Sequence, residues 1–398
     1  MSLGRTVRAV PRGVWILSLT SALLMTGFGM VVPLIPVYGE RLGATHLELG
    51  LLVAAFFAGR LLAQLPAGMA ADRAGRRPVL LGALLLYGTS CVGYALAANA
   101  TALIVFRLLQ GLASAFFTVA ARSTVSDLTA AERRGAAQGI LSSSVNLGFV
   151  AGPLLGALAA EMGDIVLPFW IAAGTTALAF LVVAGLLGSP RATVLDAPAR
   201  GLVSALADGR VRALAAANGC FLAGLAVVMT LFPLAGEERL AGGLVFVGAA
   251  MTAAGLAGLV GGPFAGRLSD RAGRAPLMAA GALLSSAEGA SLSLTDGPLV
   301  IGACFALGGL GAASFSNGLH AAIGDQTDPL DRGTVTGVVG VAGEIGGVAG
   351  SLLAPWAWDL TDLAAPFALH PLFAAVAAGL SLCLHRLGGA RSGPPAEL

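Results

Sequence analysis

The strongest constraint on this chain is its series of apolar runs, each about 20 residues long or longer, separated by short polar links. A hydrocarbon layer about 30 Å thick needs about 20 residues of helix to cross it. It offers no partner to a bare peptide group, so a chain that enters it must satisfy its own backbone. Only 11% of the 398 residues are charged and 57% are hydrophobic, against about 25% charged in a soluble domain. The sequence therefore predicts an all-α polytopic membrane protein with 12 transmembrane helices. Spans 1 to 6 are expected near 13–38, 47–71, 78–98, 101–123, 136–160 and 165–188. A polar connection at 189–210 follows, then spans 7 to 12 near 211–236, 241–266, 276–296, 298–324, 333–358 and 363–387. The expected domains are a six-helix bundle at 1–188, a central loop at 189–210 and a second six-helix bundle at 211–398.

Charge placement sets an orientation. All 23 basic residues are arginine, a preference that codon bias in a GC-rich genome accounts for. With the N-terminus inside, the inner loops hold Arg73, Arg76, Arg77, Arg133, Arg134, Arg191, Arg200, Arg210, Arg212, Arg267, Arg271, Arg274 and Arg332. The outer loops then hold Arg41 and Arg239 among Glu161, Asp164, Glu237, Glu238, Asp359 and Asp362. That bias puts both termini in the cytoplasm, and the expected location is a bacterial inner membrane. Arg5, Arg8 and Arg12 precede span 1 as in a signal peptide, but the apolar stretch is too long and holds Pro33 and Pro36, so it reads as a retained helix. Cys91, Cys220, Cys304 and Cys383 sit apart in apolar runs and suggest neither a disulfide framework nor a metal site.

The chain also repeats itself. "GMAADRAGRRPVLLG" at 68–82 returns as "GRLSDRAGRAPLMAAGA" at 266–282, 198 positions later. "RRGAAQG" at 133–139 aligns with "DRGTVTG" at 331–337 at the same offset, as Gly148 and Gly152 do with Gly346 and Gly350. Two six-helix halves in parallel register are one of the repeat architectures of secondary transporters. Gly148, Gly152 and Gly156 fall four apart, so they share one helix face and admit a neighbouring backbone, and Pro153 removes one hydrogen bond beside them.

These residues resemble the major facilitator superfamily, in its twelve-helix drug:proton antiporter branch. Gly68, Asp72, Arg73, Gly75, Arg76 and Arg77 match that family's motif between spans 2 and 3. "RLLQG" at 107–111 matches its span 4 motif, and "GFVAGPLLG" at 148–156 matches the span 5 motif commonest in proton-driven exporters. The resemblance implies a proton-coupled exporter of small hydrophobic or amphipathic compounds, such as drugs, working by alternating access. The same fold also admits a transporter of one defined metabolite or sugar. A membrane-embedded enzyme or sensor is disfavoured, because no HExxH, GxSxG, Cys/His cluster or phosphate loop is present. No cofactor is expected beyond a proton gradient. The expected partners are a small-molecule substrate, protons and the lipid bilayer, with no nucleic acid, and the chain is expected to act as a monomer.

The same reading nominates residues. Asp72, Arg76 and Asp127 are expected to form a cytoplasmic charge cluster that biases a two-state equilibrium. The second copy keeps Asp270, Arg271 and Arg274 but has Ala275 at the place of Arg77, which predicts an asymmetric latch. Arg60, Arg107, Glu288 and Glu344 lie within spans, where an ionisable group costs at least about 2.5–3.5 kcal/mol and is a functional candidate. Glu344 is the favoured proton-binding carboxyl, with Arg60 as a partner in some state. Arg107 matches the family's span 4 arginine, and Glu288 ranks lower. Spans 1, 4, 7 and 10 line the cavity in this fold, nominating Met25, Phe28, Met30, Phe116, Phe117, Phe221, Met229, Phe232 and Phe315, with Asn218, Asn317 and His320 as polar contacts.

Overall fold

A computed structural model describes residues 10–130, 133–188, 202–240, 242–327 and 331–389. Every regular element among these residues is helical, and 12 helical segments are long and apolar enough to cross a membrane. The chain is a multi-pass membrane protein. Arg5, Arg8, Arg191, Arg200 and most of the expected central loop lie outside the described residues, and a short helix at Leu202–Ala207 leads into span 7.

Side-chain caps explain where several spans begin. Thr45 accepts a hydrogen bond from the Glu48 amide while the Glu48 carboxylate accepts one from the Thr45 amide, opening span 2 (His46–Ala74). Asn99 Oδ1 accepts from the Ala102 amide and opens span 4 (Ala100–Leu128). Span 4 thus runs past the expected end at 123, because hydropathy falls before the helix does.

Two spans are broken. Span 1 divides into Arg12–Val31 and Leu34–Arg41 at Pro33, which has no amide to donate. Span 9 divides into Arg274–Ser285 and Ala287–Leu294 with no proline at the break. There the hydroxyls of Ser285 and Ser286 bond back to the Ala282 and Leu283 carbonyls and compete with the helical ladder. Pro66, Pro153, Pro233, Pro263 and Pro355 instead lie inside continuous helices.

The chain divides by packing into two compact units, residues 1–195 with 232–255, and residues 196–231 with 256–398. The end of span 7 and the first part of span 8 therefore group with the first unit, whereas the sequence places them in the second bundle. Thr252 of span 8 donates to the Val150 carbonyl of span 5 at 2.9 Å.

Glycine lets the helices of each unit meet. In the first unit, a Cβ on Gly152 of span 5 would stand 2.6 Å from the Thr26 carbonyl oxygen of span 1. Gly59 of span 2 and Gly111 of span 4 face each other in the same way. In the second unit, Gly346 and Gly350 of span 11 close on the backbone of Gly219 and Ala223 in span 7, and Gly281 of span 9 closes on Phe315 of span 10. Apolar lipid gives helices little reason to associate through hydrophobicity, so such close contacts and their dispersion energy carry the packing.

Gly139, by contrast, has open space where a Cβ would sit. Replacing Gly152 with Val should therefore destabilise the protein by about 1–3 kcal/mol or more through overpacking. Gly139→Ala should be neutral or stabilising by up to about 1 kcal/mol. Thermal unfolding of the two variants in one detergent checks both.

Candidate functional site

The charged repeat is built on a one-residue link. Span 2 ends at Ala74, span 3 starts at Arg76, and Gly75 between them has φ +90°, a backbone state that side chains disfavour. The abrupt turn leaves Arg76 facing back: its Nη1 donates to Asp72 Oδ1 at 2.6 Å and its Nε to Asp127 Oδ2 at 3.0 Å. The expected trio of Asp72, Arg76 and Asp127 is thus one ion-pair cluster joining spans 2, 3 and 4. Arg77 turns to span 6, where its Nη2 donates to the Ala184 carbonyl at 2.5 Å. Arg73 is exposed, and Gly68 has open space beside it.

The second unit repeats the device. Gly273 has φ +92°, and Arg274 donates to Asp270 at 2.5 Å and to Asp325 at 2.8 Å. Asp325, which the sequence reading missed, stands 198 positions after Asp127, so the repeat offset was the signal that could have found it. The triads match and the difference lies in their settings. The Arg76 side chain is 8% exposed and Arg274 is 27% exposed. Ala275 is buried at the place of Arg77, and Ser269 adds a bond to Arg274 at 3.0 Å. Arg271 is exposed, like Arg73.

The groups inside the spans have distinct settings. Arg107 is buried; its Nη1 donates to Gln110 Oε1 at 2.7 Å, and the Tyr94 hydroxyl donates to the same oxygen at 2.9 Å. Its guanidinium carbon lies 4.9 Å from the Phe56 ring centre and 5.7 Å from that of Phe28, so two aromatic faces shield the charge. Arg60 donates to the Ser114 hydroxyl at 3.2 Å. Glu344 is buried in span 11, among Gly343, Gly346 and Gly347. Glu288 is buried just past the break in span 9, with its carboxyl against Gly308 of span 10. Ser291 bonds the Glu288 backbone carbonyl.

The antiporter-motif glycines act as a packing face: Gly148, Gly152 and Gly156 close on Ala22, Thr26, Gly29 and Met30 of span 1. The aromatic nominees separate by burial. Met30, Phe117, Phe221, Phe232 and Phe315 are buried, and Phe221 stacks on Phe315 with centres 4.0 Å apart, so these five are packing residues rather than an exposed lining. Met25, Phe28, Phe116 and Met229 are half-buried. Asn218 bonds the Val339 carbonyl at 2.9 Å. Asn317 and His320 are exposed on span 10, Asn317 donating to the Gly262 carbonyl at 3.0 Å and the His320 ring lying 2.7 Å from the Ser316 carbonyl oxygen.

A family model described as Major Facilitator Superfamily matches residues 17–241 and 214–397. The chain belongs to the Major Facilitator Superfamily. Over 178 residues it is 29% identical to the quinolone resistance protein NorA of Staphylococcus aureus, a stretch covering 45% of this chain and 46% of NorA. The chain thus matches less than half the length of that curated relative. Its fold resembles a bacterial homologue of the human lysosomal transporter Spinster, in an inward-facing and occupied conformation (TM-score 0.77, 16% identity, covering 96% of this chain and 98% of that one). It also resembles the nucleoside transporter NupG (TM-score 0.76, 14% identity, 94% and 99%). At these identities the two structures establish the fold alone.

At the opposite ends of the first unit's spans, this superfamily member carries a further ion pair, Arg41 to Glu237 at 2.6 Å. Beside it, burial and then the charges of Glu238 and Glu237 raise the Glu40 carboxyl above its ordinary value, with His46 and Arg41 opposing. The folded state therefore holds the Glu40 proton more tightly than the unfolded state, and the associated stability is lost as pH rises through the raised value. Glu40→Gln should melt above the parent at pH 7, with the gap closing toward pH 4.

The two arginine clusters should differ in weight. Asp127→Ala leaves the buried Arg76 with Asp72 as its one remaining carboxylate and should cost about 1.5–3 kcal/mol, the range for a hydrogen bond to a charged group. Asp325→Ala, at a more open site, should cost about 1 kcal/mol or less. Paired thermal unfolding curves measure the contrast.

Proposed function

We propose that this transporter is a proton-coupled exporter of small, mainly hydrophobic or amphipathic compounds, driven by alternating access. The observation that carries the reading is the set of ionisable residues held inside membrane spans, above all buried Arg107 and Glu344. Such groups are expensive in a bilayer, and carrying protons through it is a use that repays them. The motif at 148–156 and the similarity to a quinolone resistance protein support export.

In this reading Glu344 takes up and releases the proton, and Arg60 and Arg107 are the further proton-coupling candidates. Glu288 is the lesser candidate. The Asp72–Arg76–Asp127 and Asp270–Arg274–Asp325 clusters hold one state of the cycle, and their breaking admits the other. The half-buried residues Met25, Phe28, Phe116 and Met229 offer the substrate apolar contact. The chain works as a monomer in a bacterial cytoplasmic membrane, with both termini and the two arginine clusters on the cytoplasmic side.

The test is transport by the full-length protein in proteoliposomes under an imposed pH gradient, with a panel of cationic, neutral and anionic compounds. Proton flux coupled to substrate flux is expected. Transport with no proton movement would overturn the antiporter reading. Asp72→Asn should abolish transport while the protein still reaches the membrane, because Asp72 is mostly exposed and contributes little to folding. Glu344→Gln should abolish substrate-stimulated proton release; unchanged release would leave Glu344 a structural role.

A further inference from the structure

One face of span 4 in the first unit carries Ser114, Thr118, Arg122 and Ser126, spaced four residues apart and so aligned on the helix. Arg122 is exposed, although it lies six residues inside the end of the helix Ala100–Leu128. Among the described residues its guanidinium makes no hydrogen bond or ion pair. Arg60 bonds Ser114, at the other end of the row. Span 5 supplies the second side. Gln138 Nε2 donates to the Arg122 carbonyl at 2.8 Å and to the Ser126 hydroxyl at 3.1 Å. One and two turns further on, Ser142 and Asn146 are exposed.

Exposed Arg122, Ser142 and Asn146 within membrane spans are costly against lipid and at home against water or a polar ligand. The charge of this face has one sign. The acids on the first unit's spans, Glu40, Glu48, Asp72, Asp127, Glu161, Glu237 and Glu238, all sit within three residues of a helix end, and Asp72 and Asp127 are already bound to Arg76. No carboxylate in the span interiors of this unit neutralises Arg122.

We propose that this face binds the anionic end of the transported compound, a carboxylate attached to an apolar body. The Arg122 guanidinium takes the two carboxylate oxygens as a fork, and the Ser142 hydroxyl donates beside it. An amphipathic cation is repelled by the same surface. The proposal rests on the transporter reading above and narrows its substrate class.

The test is equilibrium binding to the full-length protein in lipid nanodiscs of three probes sharing one ring system: 2-naphthoate, 2-naphthylmethanol and 2-naphthylmethylammonium. The wild type should bind naphthoate at least about tenfold more tightly than either of the others, which is about 1.4 kcal/mol. Raising salt should weaken naphthoate alone. Arg122→Gln should erase the preference, Arg122→Lys should restore part of it, and neither should shift the melting temperature, since the guanidinium holds no other element in place. Equal or tighter binding of the ammonium probe by the wild type, or naphthoate binding unchanged in Arg122→Gln, overturns the proposal. Selective naphthoate binding without proton-driven export supports this site and counts instead against the antiporter reading.

Discussion

A hydrocarbon layer forms no hydrogen bonds, and nearly everything else in this protein follows from that. Each segment that crosses must satisfy its own peptide groups, so the crossing segments are helices. Once formed, those helices gain little from hiding apolar side chains from equally apolar lipid. What joins them is close contact, and the structure achieves it with glycine pairs such as Gly29 with Gly152 and Gly59 with Gly111. The same solution recurs in the second unit at Gly346 and Gly350, as two copies of one ancestral arrangement would be expected to show.

The same solvent makes charge informative. At the ends of the helices arginine is inexpensive, and the Arg76 and Arg274 clusters use it to tie three helices each. Inside the spans each charge needs a compensating environment. Arg107 finds it in Gln110 and two aromatic rings. Arg122 is exposed instead. Those different solutions separate a buried, shielded cation from one open to a ligand.

Much of this was legible in the sequence, because the bilayer enforces a one-dimensional rule. The spans and the repeat follow from length, spacing and charge, and the trio Asp72, Arg76 and Asp127 from the resemblance of its motif to that of the family. Asp325 was equally legible through the offset of 198 and went unread. The cavity residues were not legible. An apolar residue on a membrane helix looks the same whether it meets lipid, another helix or a cavity, and Phe221 and Phe315 turn out to stack on each other. Arg122 was passed over because hydropathy puts the end of span 4 near 123, where an arginine reads as an interfacial charge, whereas the helix continues to Leu128.

The sequence alone therefore determined that this chain is a twelve-span membrane protein of duplicated halves with a charged motif in each, since hydrophobic length, glycine spacing and arginine placement act along the chain. Only the tertiary structure decided which of its charges are bound and which are open. Whether Arg76 is clasped, Arg107 shielded or Arg122 left exposed depends on which neighbouring helix presents which side chain at that depth, and that is a property of packing between segments far apart in sequence.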